Sequence, residues 1–93
     1  MDGIYYFGRN AAMMTLVAQQ LAAAGMKADG FMDEHKLMEE LRRGEPKLLV
    51  IGGGVEDEAR NRLKEYCAGI GVLVLEHFAG PGSLPTNIAE ALG

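Results

Sequence analysis

The sequence predicts an α/β fold: a three-layer α/β/α sandwich around a four-stranded parallel sheet of order 2-1-3-4. Three observations carry the prediction. Short β-branched or aromatic runs alternate with helix-forming runs along the 93 residues, and such alternation gives a parallel sheet with helices on its faces. One run, Leu48-Leu49-Val50-Ile51, is apolar at every position, as expected of a strand buried on both sides. Right-handed crossovers then restrict the layout.

The elements follow in order. Residues 3–8 are short, aromatic and β-branched, a strand. Asn10 is placed to cap a helix that starts at Ala11 and is built mostly of Ala, Leu, Met and Gln. Its apolar stripe is Met13, Leu16, Val17, Leu21 and Ala24, and Gly25 is placed to end it. Residues 26–32 form a second, weaker strand interrupted by Gly30. Asp33 caps a helix over 34–43 that has two arginines at its end and Gly44 after it. Leu37, Met38 and Leu41 are its apolar face. The third strand is 47–51. A helix over 56–68 follows, with Ala59, Leu63, Tyr66 and Cys67 inward and Gly69 as its stop. The fourth strand is 71–78. After the loop Ala79-Gly80-Pro81-Gly82, Ser83 is placed to cap a final helix over 84–92 with Pro85 in its first turn.

With that layout the chain resembles the receiver domain of bacterial response regulators. More broadly it resembles flavodoxin-like (Rossmann-like) domains with the fifth strand missing. Receivers carry an acidic pair after the first strand, where this chain has Gly8, Arg9 and Asn10. They carry a phospho-accepting Asp after the third, where this chain has Gly52, Gly53 and Gly54. They carry Thr or Ser after the fourth, where this chain has His77 and Phe78. The resemblance spans the whole chain as layout only. No functional residue of the family transfers, so it implies the fold and not the phosphorylation.

Composition excludes several functions. The formal charge is -4, without a Lys/Arg-rich run, which argues against nucleic acid as a partner. Cys67 is the only cysteine, so no disulfide forms within the chain, and a reducing, cytoplasmic location is expected. The first ten residues lack the basic start and apolar core of a signal peptide. No apolar run approaches the ~20 residues of a membrane helix, so no membrane is expected as a partner. Two histidines and one cysteine, far apart in sequence, do not make a zinc ligand set. No metal, no cofactor and no catalytic residue set is expected.

In open parallel sheets, ligands bind beyond the carboxyl ends of the strands where the strand order reverses, here between strands one and three. The loops that meet there are 8–10, 52–58 and 77–86. The glycine run has a phosphate-loop look but matches neither nucleotide fingerprint: the third dinucleotide position falls on Asp57, and Gly-Lys-Ser/Thr is absent. Glu56, Asp57 and Glu58 fill the start of the following helix, where acids suit the positive helix end and repel a phosphate. The run therefore reads as a tight turn rather than an anion site. Loop 8–10 is more receptive, because Arg9 and Asn10 precede a helix without acids in its first turns. An ordinary cap beside a solvated arginine is the competing reading. The candidate ligand-binding residues are Arg9, Asn10, Gly52, Gly53, Gly54, His77, Gly80, Gly82 and Ser83. His77 stands at a strand end, where catalytic groups often lie and where packed histidines are commoner. Cys67 reads as a buried structural thiol.

The missing fifth strand leaves strand four, apolar as a central strand, at an edge where only Glu76 is charged. The first helix is apolar nearly all round and needs cover on more than one side. Either the final helix or a second subunit supplies it. A symmetric homodimer is expected, with Val72, Val74 and Glu76, or Met14 and Ala18, at its interface. The competing reading is a monomer whose final helix shields the edge. Three functional readings follow in order. The first is a non-catalytic receiver-like domain acting through homodimerisation and contact with a protein partner. The second is a domain binding a small anionic ligand or nucleotide at the ends of strands one and three. The third is a small enzyme using His77.

Overall fold

The computed structural model describes residues 3–44, 46–77 and 81–93. Strands β1 (Ile4–Phe7), β2 (Ala28–Phe31), β3 (Leu48–Gly52) and β4 (Leu73–His77) form one parallel sheet in the order β2-β1-β3-β4. Helices α1 (Ala11–Ala23), α2 (Glu34–Arg43) and α3 (Asp57–Ile70) cross between them, and α4 (Leu84–Leu92) closes the chain. The architecture is the predicted three-layer sandwich, a flavodoxin-like layout.

Alternation along the strands sorts the core into two layers. Phe7, Leu49 and Ile51 point to the α2/α3 side, where Leu37, Leu41, Ala59, Leu63 and Cys67 meet them. Ile4, Tyr6, Leu48 and Val50 point to the other side and meet Val17 and Leu21 of α1 and Leu84 and Ile88 of α4. The final helix therefore lies on the α1 face, a placement that the sequence leaves open. It packs against both α1 and β4. Of the two sources of cover that the sequence leaves open for the first helix, the final helix supplies part of it within the chain.

Three local expectations are corrected. The inward arc of α1 is Met14, Val17 and Leu21, while Met13, Leu16 and Ala24 of the predicted stripe are exposed. A helix apolar on nearly every side carries no sharp inward direction in its sequence. Gly69 does not stop α3: the helix continues to Ile70, and Gly71 ends it in the left-handed conformation at φ +75°, which suits a residue without Cβ. Ser83 occupies the N-cap position of α4, but its side chain makes no capping hydrogen bond.

The two sheet edges differ in character. β2 has the sequence Ala-Asp-Gly-Phe, with Asp29 and Gly30 exposed. β4 is Leu-Val-Leu-Glu-His, and Leu73 at its start is 52% exposed, as is, to a similar degree, Ile70 three residues before it at the end of α3. The charge and glycine on β2 blunt one edge, whereas β4 carries an exposed leucine and no proline.

Candidate functional site

The register of the sheet builds the site. Phe7 pairs with Ile51, and Gly52 with His77, so β1, β3 and β4 end level with one another. Their following loops open onto a cleft of about 470 Å³ on the α1/α4 side of the sheet. Six of the predicted residues line it: Arg9, Asn10, Gly52, Gly53, Gly54 and His77. Gly82 and Ser83 are exposed and do not line the cleft; the turn that contains them packs against α1. Gly80 lies outside the described residues. Most of the wall is apolar, from Tyr6, Met13, Met14, Val17, Val50 and Leu84. None of these six is among the candidate ligand-binding residues read from the sequence, although Leu84 falls within the loop 77–86 placed at the site.

The polar rim is largely spoken for within the chain. Asn10 caps α1, its side-chain oxygen accepting from the Met13 N–H at 3.0 Å. Arg9 donates from Nε and Nη2 to the two carboxylate oxygens of Glu56, at 3.0 and 3.2 Å, and from Nη1 to the Met32 carbonyl at 2.9 Å. Its guanidinium also lies 4.8 Å from the centre of the Phe7 ring, within cation–π range. One side chain thus ties together the loops after β1, β2 and β3. Glu56 stands at the N-cap of α3 but makes no capping bond; its carboxylate turns to Arg9 instead. His77 is buried, and the Asn87 amide of α4 donates to its Nδ1 at 3.2 Å.

The glycine run is held from beneath by a residue that sequence reasoning missed. Arg60 of α3 is buried, and its Nη2 donates to the carbonyls of Gly52 at 3.2 Å and Val55 at 2.7 Å. Its Nη1 reaches Glu76 of β4 at 3.4 Å, where Lys64 also pairs. Val55 is itself buried and its N–H donates to the Gly52 carbonyl. The loop is a clamped turn with Gly53 and Gly54 exposed at its tip. An arginine in a helix written Asp-Glu-Ala-Arg gives no sign that it will be buried. Its partners are a loop and a strand 16 residues further on.

The residues expected at a dimer interface divide. Val72 is buried in the α2/α3 core, and Val74 packs against that core. Met14 is half-buried in the cleft wall, Glu76 is half-buried against Arg60 and Lys64, and Ala18 is exposed on α1. The burial of Cys67 raises its thiol pKa, in keeping with a structural role. Among the described residues, no group of three or more His, Cys, Asp or Glu side chains stands together as a metal site. No helix among them is long and apolar enough to cross a membrane.

Two carboxylates of the loop network have lowered pKa values. Glu34 is lowered first by its hydrogen bonds from Arg62, at 2.8 and 2.9 Å. Glu56 is lowered by a hydrogen bond from its own backbone and then by Arg9. A carboxylate whose folded pKa is depressed adds stability above its unfolded pKa. It loses that contribution as pH falls through the folded one. The stability advantage of wild type over Arg62→Gln should therefore be largest near neutrality and close on acidification below about pH 4. Thermal melts of both proteins from neutral to acid pH will show it; a gap constant with pH would refute the ionic role of the pair.

Comparison with known proteins returns no match: no family model, no curated protein and no solved structure matches the chain.

Proposed function

We propose that the chain is a non-catalytic, receiver-like α/β domain that works by binding, with a small-molecule ligand in the cleft at the sheet's switch point. The observation that carries this is convergence: six residues chosen from the sequence line one cleft of about 470 Å³. That volume falls in the range of small-molecule sites, roughly 300–1,000 Å³. The position, outside the carboxyl ends of β1 and β3, is where open α/β sheets bind ligands. A lone buried thiol agrees with a reducing, cytoplasmic setting.

A thermal-shift screen against nucleotides, phosphates and uncharged heterocycles tests the reading. Met13 lines the cleft and is 44% exposed, so Met13→Trp should fill the mouth without disturbing the core. A stabilising compound whose effect is lost in Met13→Trp is the expected result. No stabilising compound of any class, or one unaffected by the substitution, would overturn the proposal.

A second reading, homodimerisation or contact with a protein partner, is favoured by one observation: the exposed Leu73 on the outer edge of β4. Two copies related by a two-fold axis would pair their β4 strands antiparallel and continue the sheet. Sedimentation at micromolar concentration should then show a species of twice the 10.0 kDa chain mass, reduced to monomer by Leu73→Lys. A 10.0 kDa species for the wild type would rule out the homodimer.

A further inference from the structure

Resting on the ligand-binding reading above, we infer that the cleft selects an uncharged, ring-bearing molecule and turns anions away, with Glu56 as the residue that sets this preference.

The charge arrangement comes first. Arg9 is the only Lys or Arg among the described residues that line the cleft. Three of its five N–H donors are engaged within the chain. Nε and Nη2 hold both oxygens of Glu56, Nη1 holds the Met32 carbonyl, and one face lies over Phe7. An entering phosphate would have to displace a bidentate carboxylate that is tethered in the same chain, or lie beside it uncompensated. At the N-terminus of α1, Asn10 already accepts from Met13 N–H through its side chain and from Met14 N–H through its carbonyl, so two of the first four helix amides are paired within the chain.

The walls supply the positive half of the argument. Met13 and Met14 are adjacent on α1 and both line the cleft, with Tyr6, Val50 and Leu84 among the apolar residues beside them. Methionine is flexible and polarizable, and its thioether makes favourable contacts with aromatic rings. Met13 remains exposed although it adjoins this apolar surface, so a ring entering the cleft removes it from water. Gly53 and Gly54 add peptide planes without side chains, and an added Cβ at Gly54 would meet nothing within 4 Å. A flat ring has room to lie against that backbone.

The test uses protein labelled with ¹³C at the methionine methyls, whose six signals are assigned by single Met→Leu variants. Indole is the uncharged probe; inorganic phosphate and adenosine monophosphate are the charged ones. Indole should move the Met13 and Met14 signals saturably, and phosphate should leave them in place. In Glu56→Gln, which frees Arg9, phosphate affinity should rise about tenfold while that for indole is unchanged. Movement of these methyls by phosphate or the nucleotide in the wild type, without movement by indole, would overturn the inference and leave a ligand cleft standing. An unchanged phosphate affinity in Glu56→Gln would remove Glu56 from its assigned role. No movement with any probe would overturn both the inference and the ligand reading beneath it.

Discussion

Replacing Arg60 by leucine will destabilise the fold by about 2–4 kcal/mol, because it strands the Val55 carbonyl, leaves the Gly52 carbonyl with the Val55 N–H alone and leaves Glu76 with Lys64 alone. Loss of hydrogen bonds from a charged donor is the larger part. The leucine offsets some of it by filling the same space with apolar surface. The sharper signature is local. The amides of Gly53 and Gly54 should become more mobile by NMR relaxation, and the cleft should lose affinity for whatever ligand it takes. Adding Glu76→Leu should restore only part of the stability, since the Val55 carbonyl still lacks its donor and the Gly52 carbonyl keeps only the Val55 N–H. Full restoration by the second substitution would mean that the ion pair, and not the carbonyl clamp, is what Arg60 contributes.

Ile88→Ala will have an effect of similar size, about 2–4 kcal/mol, for a different reason. Ile88 is fully buried between α4 and the sheet, and truncating it removes apolar contact and leaves a cavity. For a domain of this length that corresponds to a fall in Tm of roughly 10–25 °C. Denaturant melts give the magnitude, and hydrogen exchange shows where it acts. Protection should fall most in α4 and in the part of α1 it covers, with α2 and α3 less affected. Uniform loss across both layers would show instead that α4 is an integral part of one cooperative unit. A loosened α4 also uncovers part of the α1 face, so the variant should self-associate more readily than the wild type.

How much of this was legible in the sequence depends on the range over which each feature is determined. The βα alternation, the all-apolar 48–51 run and the handedness of crossovers led to the strand order and the place of the cleft. Each rests on local pattern or on a general rule of chain geometry. The inward face of α1 was not legible because residues 11–24 are apolar on nearly every side. Gly69 read as the stop of the third helix and Gly71 as the start of the fourth strand, and only the left-handed backbone at Gly71 shows which of them ends the helix. The Arg9–Glu56 pair joins residues 47 positions apart, and no periodicity announces it. That pair changes the chemistry most. The guanidinium read from the sequence as an anion receptor is held by a carboxylate that the same reading had placed at a helix start. The apolar wall was missed for a related reason: Met13, Val17 and Val50 fit the pattern of ordinary core residues, and only the packing of the chain places them along a cleft.

Charge is distributed unequally across the sheet. Helix α1 contains no ionisable residue and α4 only Glu90, whereas α2 and α3 carry both members of the pairs Arg62–Glu34 and Arg43–Glu40, and α3 carries the Arg60 that pairs with Glu76 of β4. The molecule is therefore a slab with an electrically quiet side, which holds the cleft, and a noisy one. Added salt screens exposed pairs and leaves apolar burial intact or strengthened. Ionic strength thus acts on the two sides in opposite senses. It loosens the network that braces the loops and firms the layer that would receive a ligand.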